Sequence, residues 1–183
     1  MTTDEQLVRA ALEGSESAFG HLVERHQHRL LRFLLTRCAS RADAEDALQD
    51  TFINAWRYLG SYKSRWRFST WLYRIAIRNA ARHRSHATAG FDDVPDETAD
   101  PLLVCIADSE RENIWLMARR LLSADAHAAM WLRYAEDMSV KEVAQALGRP
   151  EVWTKVTLLR ARRTLSRALA DACANVNESE AYG

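Results

Sequence analysis

The sequence predicts an all-α protein made of two small helical domains joined by an acidic linker. Glycine and proline are scarce, at 6 and 3 of 183 residues, whereas leucine, alanine, arginine and glutamate abound, a mixture that favours helices. Helix start and stop signals recur along the chain, and no segment alternates apolar and polar residues as a β-strand would. An acidic segment with two prolines interrupts the helical pattern near the middle.

Capping residues set the expected helix boundaries. Hydroxyl side chains that can accept a hydrogen bond from the first turn are the expected N-caps: Thr3, Ser15, Ser123 and Ser139. Thr3 and Ser139 are followed three residues later by Gln6 and Glu142, which gives two capping-box patterns. Glycines at expected helix ends are Gly14, Gly60 and Gly148, and Pro150 suits a first helical position. Together with the apolar periodicity, these signals predict helices near 4–13, 16–38, 42–59, 69–86, 109–121, 124–135, 140–147 and 151–171.

The interruption is GFDDVPDETADP, which runs from Gly90 to Pro101 and holds five acids, two prolines and no basic residue. A segment of this composition buries little apolar surface and is typical of a linker. It divides the chain into a block of about 90 residues and one of about 75–80, each large enough for a small domain.

Bulk composition excludes several classes of protein. Hydrophobic residues make up 48% and charged residues 27% of the chain, as in a globular protein with a core. The three cysteines are far apart in the sequence, which argues against a disulfide framework or a zinc finger and favours the reducing cytoplasm. The polar first residues are not a secretory signal, and no apolar run reaches the roughly 20 residues of a membrane span. We expect a cytoplasmic protein without membrane insertion.

Charge is sorted sharply between neighbouring segments, although the formal net charge is zero. The stretch SRADAEDALQDTF, from Ser40 to Phe52, holds four carboxylates, whereas the forty residues from Thr51 to Gly90 hold none and carry one lysine and seven arginines. On a helix, Asp43, Asp46 and Asp50 fall on the face opposite Ala44 and Leu48. Three interpretations stay open: a solvated helix face, a magnesium site made of the three aspartates, and a docking surface for a basic partner.

The basic stretch that follows interleaves arginine with aromatic residues, as in GSYKSRWRFSTWLYRIAIRNAARHRSH. Arginines hold phosphates and aromatic rings stack on unpaired bases, so the combination predicts a surface for single-stranded nucleic acid. The alternative is a core containing Trp71 and Leu72 flanked by solvated charges. The candidate DNA-binding residues are Lys63, Arg65, Trp66, Arg67, Trp71, Arg74, Arg78 and Arg82.

The segment MSVKEVAQALGRPEVWTKVTLLRARRTL indicates a helix, a tight turn at Gly148 and a second helix with a basic outer face. This is the arrangement by which a helix-turn-helix enters the major groove, and a plain helical bundle is the alternative. We expect five inward residues on the second helix: Thr154, Leu158, Ala161, Leu165 and Leu169. The candidate DNA-binding residues are Trp153, Lys155, Arg160, Arg163 and Arg167.

Four motifs in order, DAEDALQDTFINAWRYL, FSTWLYRIAIRNAARH, LRYAEDMSVKEVAQALG and RARRTL, resemble the extracytoplasmic-function (ECF) sigma factors of bacterial RNA polymerase. The resemblance implies a region-two-like helical bundle over 1–89, an acidic linker over 90–108, a region-four-like helix-turn-helix domain over 109–172 and a tail over 173–183. Region two of the family binds the β′ clamp helices of core RNA polymerase and melts the promoter's minus-ten element. Region four binds the minus-thirty-five element and the β flap. The implied polymerase-binding residues are Asp43, Glu45, Asp46, Gln49 and Asp50.

The resemblance therefore implies an alternative sigma factor that directs promoter-specific transcription initiation and is held inactive by an anti-sigma partner. No enzymatic activity, cofactor or metal is expected, although His21, His26, His28 and Cys38 admit a metal sensor as a minor alternative. A helix-turn-helix repressor that does not act through polymerase is the alternative function. Departures from the family pattern include the loop Lys63 to Arg67, the alanine-rich DAHAA at Asp125, and an apolar patch on the second helix of the helix-turn-helix. That patch consists of Val152, Trp153, Val156 and Leu159.

Overall fold

The structure is a computed structural model that describes residues 2–88 and 110–180. These residues contain eight α-helices and a short 3-10 turn at Leu59–Ser61, and no β-strand occurs among them. The helices are α1 (Asp4–Leu12), α2 (Glu16–Leu35), α3 (Arg41–Arg57), α4 (Phe68–Thr88), α5 (Glu110–Leu121), α6 (Ala124–Tyr134), α7 (Val140–Leu147) and α8 (Glu151–Glu180). The predicted all-α class is confirmed. The expected acidic linker lies outside the described residues.

The described residues separate into two compact units, one drawn from Met1–Asp93 and Lys141–Arg149 and the other from Val94–Val140 and Pro150–Gly183. In the first unit, α1 packs on α2, and α2, α3 and α4 pack on one another. Large apolar side chains that are almost fully buried form its core, with the Phe33 and Tyr73 rings edge-to-face at 5.1 Å. Leu22, Leu30, Leu34 and Leu72 complete that core.

The second unit packs α5, α6 and α8 together. Alanines at Ala118, Ala128 and Ala129 are fully buried, and their small side chains let the helix axes approach closely. Trp115 and Trp131 fill the remaining space with ring centroids 4.9 Å apart.

Local capping determines where three of the helices begin, as predicted. The Thr3 hydroxyl accepts a hydrogen bond from the backbone N–H of Gln6, whose side chain accepts one from the backbone N–H of Thr3. Ser15 and Ser123 cap α2 and α6. Gly14 and Gly148 take φ values of +101° and +64° at helix ends, a region of backbone conformation that favours glycine.

Several boundaries differ from the prediction. Helix α2 ends at Leu35, and Thr36 follows as its C-cap with its hydroxyl donating to the carbonyl of Phe33. Helix α3 ends at Arg57, so Gly60 lies within the 3-10 turn rather than at the helix end. Helix α8 runs to Glu180 instead of 171, since neither glycine nor proline occurs between those positions.

Within residues 2–88 and 110–180, no helix has the length and apolar character needed to cross a membrane.

Candidate functional site

Helix α3, which carries the predicted polymerase-binding residues, begins with a capping box that was not predicted from the sequence. The Ser40 hydroxyl accepts from the backbone N–H of Asp43 at 3.1 Å, and the Asp43 carboxylate accepts from the backbone N–H of Ser40 at 3.2 Å. Glu45 pairs with Arg41 at 2.7 Å, one turn apart on the same helix. Two of the predicted polymerase-binding carboxylates therefore take part in local contacts, which the Ser40-x-x-Asp43 spacing could have indicated.

The other three predicted polymerase-binding residues, Asp46, Gln49 and Asp50, are all exposed on α3. They define what we call the acidic face. Its opposite side is buried through Ala44, Ala47 and Ala55. The helix thus turns one side to the core and the other to solvent, as its periodicity predicted.

The basic, aromatic stretch forms a loop and the first turns of α4. The Tyr62 hydroxyl donates to the carbonyl of Trp66 at 2.7 Å and so holds the loop closed. Phe68 is buried, and its ring lies 5.8 Å from Tyr62 and 5.7 Å from Trp71. The loop that carries Lys63, Arg65 and Arg67 is therefore anchored at both ends by aromatic packing.

Six of the eight predicted single-strand residues lie around one concave surface of the first unit, and we call it the basic-aromatic surface. They are Lys63, Arg65, Trp66, Trp71, Arg74 and Arg78. Arg67 is exposed on the loop, and Arg82 lines a neighbouring cavity that also contains Arg78. Leu72, Ala76 and Ala80 are buried on the other side of α4, as predicted. The surface can hold phosphates with guanidinium groups and unpaired bases with rings.

A partly buried ion pair fixes the N-terminal helix beside this loop. Asp4 accepts from Arg25, and it lies 2.8 Å from Nε2 of His26. Burial disfavours the Asp4 carboxylate, but the hydrogen bonds and charges of His26 and Arg25 outweigh that effect and hold the pKa of Asp4 below its usual value. Burial, followed by the charges of Glu5 and Asp4, raises the pKa of Tyr62 to about 12, so the Tyr62 hydroxyl stays protonated as the donor to Trp66.

The chain turns between α7 and α8 at Gly148, as predicted. The Arg149 N–H donates to the carbonyl of Ala144 at 3.0 Å, Gly148 takes a left-handed conformation, and Pro150 accepts from the backbone of Thr154 at 3.1 Å. Inward residues of α8 that are buried as predicted are Thr154, Leu158, Ala161 and Leu165.

Leu169 was predicted to point inward and is 37% exposed. The predicted basic outer face is exposed at Lys155, Arg160, Arg163 and Arg167.

Trp153 is half-buried rather than fully outward. The other members of the predicted apolar patch are exposed: Val152 at 73%, Val156 at 41% and Leu159 at 47%.

No group of three or more histidine, cysteine, aspartate or glutamate side chains could hold a metal ion among the residues that the structure describes. His26, a member of the minor metal-sensor hypothesis, instead pairs with Asp4, and its ring lies 5.5 Å from that of Phe68 in a tilted arrangement. The three aspartates of α3 therefore belong to no such group in the described part of the chain.

Comparison with known proteins places both units in one family. The family model for Sigma-70 region 2 matches residues 22–89, and the model for Sigma-70, region 4 matches residues 114–165. The RNA polymerase sigma-H factor of Pseudomonas aeruginosa is 31% identical, with 91% of this chain and 93% of that protein covered. The ECF RNA polymerase sigma-E factor of Haemophilus influenzae is 30% identical, with 91% and 95% covered. This chain belongs to the ECF sigma factors.

Solved sigma-factor structures agree with this assignment. The structure of CnrH in complex with the cytosolic domain of CnrY has a TM-score of 0.69 at 28% identity and covers 92% of this chain and 97% of that chain. RpoE in complex with the anti-sigma factor NepR from Bartonella quintana has a TM-score of 0.58 at 22% identity, which supports the fold.

The family models can be placed on the elements described above. Region 2 of this sigma factor spans most of α2 together with α3 and α4, and it therefore includes the acidic face and the basic-aromatic surface. Region 4 spans most of α5, all of α6 and α7, and the first half of α8. An alternative sigma factor of RNA polymerase is thus the function that the matches support, and a repressor acting without polymerase is not favoured, because region 2 is matched as well as the helix-turn-helix.

Proposed function

We propose that this sigma factor binds core RNA polymerase through the acidic face of α3 and binds promoter DNA through two basic surfaces. The observation that carries the proposal is the separation of charge within the first unit. Exposed Asp46, Gln49 and Asp50 occupy one side of α3, whereas the arginines and rings of the basic-aromatic surface lie on the loop and on α4. Opposite charges on separate surfaces direct a basic protein partner and DNA to different places.

The proposed polymerase contact is with the β′ clamp helices. Asp46, Gln49 and Asp50 would meet the basic partner directly, and Asp43 and Glu45 would support the start of the helix. The experiment is a binding titration of core polymerase with the double variant Asp46→Lys and Asp50→Lys. We expect at least a roughly tenfold loss of affinity that grows smaller as salt rises. Glu24→Lys, an exposed charge reversal on α2, is the matched control, and equal loss in both proteins would contradict the proposal.

The basic-aromatic surface is proposed to capture the non-template strand of the melted minus-ten element. Trp66→Ala and Arg74→Ala should impair promoter opening more than formation of the closed complex, because rings and guanidinium groups hold unpaired bases and their phosphates. A pre-melted template should restore transcription by both variants, whereas transcription from a duplex template should stay impaired. Arg9→Ala, an exposed arginine on α1, is the control, and a failure of pre-melting to rescue the two variants would refute this assignment.

The basic outer face of α8 is proposed to bind the minus-thirty-five element as duplex, and the region-four domain is also proposed to contact the β flap. Arg160→Ala or Arg163→Ala should weaken duplex binding. Each should also reduce the steepness of the salt slope, the change in the logarithm of the binding constant with the logarithm of salt concentration, by about 0.9 for each phosphate that the variant no longer neutralises. Arg119→Ala on α5, also exposed, provides the comparison. An unchanged salt slope in both α8 variants would remove α8 from the DNA interface.

We propose that an anti-sigma protein holds this factor inactive. Exposed Val152, Val156 and Leu159 interrupt an otherwise basic helix face, and exposed apolar patches favour a protein partner. CnrH, which is similar to nearly the whole chain, was solved with the cytosolic domain of CnrY. Trp153→Ala should raise basal activity in cells only when the inhibitor gene is present. Raised activity with purified factor and polymerase alone would indicate self-masking, and lowered activity in both settings would assign Trp153 to DNA binding or folding.

The proposed domain bounds are 1–89 for region two, 90–108 for the linker, 109–172 for region four and 173–183 for the tail. The factor would act in the cytoplasm, where polymerase lies, without catalytic activity of its own. Phosphorylation at Ser61, Ser64 or Ser69 is a further proposed control, since it would place negative charge beside the basic-aromatic surface. A glutamate substitution at Ser64, which is exposed, should then lower promoter opening, and unchanged opening would dismiss this control.

A further inference from the structure

Helix α1 packs beside the turn that leads into the loop of the basic-aromatic surface, although it lies outside residues 22–89 that the Sigma-70 region 2 model matches. It contacts the 3-10 turn Leu59–Ser61, which is followed directly by Tyr62. Burial, followed by the charges of Glu5 and Asp4, raises the pKa of Tyr62 to about 12. Both acids of the first turn of α1 therefore act on the residue at which the loop begins.

Two side chains connect α1 to the start of α4. The pKa of Asp4 is lowered, so Asp4 is ionised near neutral pH. Because a carboxylate can only accept, Nε2 of His26 carries the hydrogen of the 2.8 Å bond between them. That bond orients the His26 ring, which lies 5.5 Å from the ring of Phe68. Phe68 is 1% exposed and is the first residue of α4, so the start of α4 is coupled to α1.

Tyr62 closes the loop that Phe68 supports. Its ring lies 5.8 Å from the ring of Phe68 and 5.7 Å from that of Trp71, and its hydroxyl donates to the carbonyl of Trp66 at 2.7 Å. The Trp66 N–H donates to the carbonyl of Lys63 at 3.2 Å, which closes a four-residue turn. Tyr62 thus precedes this turn in the chain and binds its last residue, and we call its hydroxyl bond to Trp66 the latch.

The latch orders the groups that would meet DNA. Lys63, Arg65 and Trp66 all lie on the turn, and Cζ of Arg65 lies 5.9 Å from the centre of the Trp66 ring. A loop that already holds its bound conformation loses less conformational entropy when it binds. Capture of an unpaired strand competes with re-pairing of the duplex, so a looser loop should slow promoter opening more than it weakens the first contact with duplex DNA.

We propose that α1 takes part in promoter opening by positioning the latch through His26 and Phe68. The inference rests on the proposed function of the basic-aromatic surface, and it adds a helix outside the family model to that function. Asp4, His26, Phe68 and Tyr62 are positioning residues, because they act on the strand through the loop.

The experiment follows opening of a duplex promoter by the complete holoenzyme, with the promoter taken from the transcripts that overexpression of this factor induces. Permanganate oxidises unpaired thymines and reports the opening rate, whereas gel-shift titration on ice reports the affinity of the closed complex. Tyr62→Phe removes the hydroxyl and keeps the ring, and His26→Ala removes the ring between Asp4 and Phe68. Each should slow opening by about 2- to 12-fold, the change in rate that corresponds to an interaction of the strength of one hydrogen bond.

The affinities for core polymerase and for the closed complex should stay at the wild-type value in both variants. The double variant should slow opening by less than the product of the two single effects, since both act through the same latch. Tyr73→Phe removes a buried hydroxyl from the core side of α4, and His28→Ala changes an exposed histidine of α2. Both controls should open the promoter at the wild-type rate.

Three results would overturn the inference alone, provided that Arg74→Ala opens the promoter slowly. The first is opening at the wild-type rate by Tyr62→Phe. The second is an equal loss of core binding, closed-complex affinity and opening rate, which would reduce these contacts to a role in folding. The third is a double variant whose effect equals the product of the single effects, which would separate α1 from the latch. Opening at the wild-type rate by Arg74→Ala would instead refute the proposed function from which the inference starts.

Discussion

Replacing Thr51 by valine tests the buried hydrogen bonds that join α3 to α4. Thr51 is fully buried and Asn79 is 4% exposed. Valine has nearly the same volume as threonine, so the Thr51→Val variant opens no cavity. It removes the hydroxyl that accepts from Asn79 and leaves one amide N–H of Asn79 buried without that partner.

The expected cost is that of one stranded buried donor, about 1–3 kcal/mol of the free energy of unfolding. Thr51→Ser is the matched control, since it keeps the hydroxyl and removes one methyl group, worth about 0.8 kcal/mol. The valine variant should therefore be the less stable of the two, even though it buries more apolar surface.

Urea unfolding of the full chain, followed by far-ultraviolet circular dichroism, measures the difference. With a slope of about 2 kcal/mol per molar urea, the middle of the usual range, Thr51→Val should lower the midpoint of the first unit's transition by about 0.5–1.5 M. A valine variant as stable as wild type, or more stable than Thr51→Ser, would refute the reasoning. That result would mean that Asn79 finds another partner at no cost.

Three further predictions concern stability. Asp4 has a lowered pKa in the folded state, so its contribution to the free energy of unfolding is present above the carboxylate's unfolded pKa and is lost as pH falls through the folded pKa. Wild type should therefore have a higher urea midpoint than Asp4→Asn near pH 7, and the difference should vanish near pH 2. A difference that stays constant with pH would contradict this. Leu22→Ala removes a fully buried side chain and should cost about 2–5 kcal/mol, measured against Leu12→Ala, which changes a leucine that is 54% exposed. In Gly148→Ala the added Cβ meets no neighbouring atom within 4 Å, but the residue must adopt a φ of +64°. The variant should therefore lose about 1–2 kcal/mol of the free energy of unfolding from the backbone alone. A loss smaller than that of Gly20→Ala within α2 would disprove the argument.

The amino-acid sequence by itself determined the helices and their faces. N-caps such as Thr3 and Ser15 act on backbone groups three residues away, and Gly148 ends a helix through its own backbone conformation. These effects are local, so sequence spacing is enough to predict them. The separation of exposed acids on α3 from arginines on α4 also followed from sequence, because helical periodicity decides which side of a helix each residue occupies.

Tertiary structure decided the contacts between helices. Asn54, Asn79 and Thr51 meet only because α3 and α4 pack side by side, and their separation in sequence, 25 residues between the two asparagines, gives no local signal. The same holds for Asp4 and His26, which join α1 to α2 across 22 residues. Exposure was likewise decided by packing: Leu169 has the inward phase of α8 yet is 37% exposed. Periodicity fixes the direction of a side chain relative to its own helix, whereas burial and partner depend on which other helix packs there.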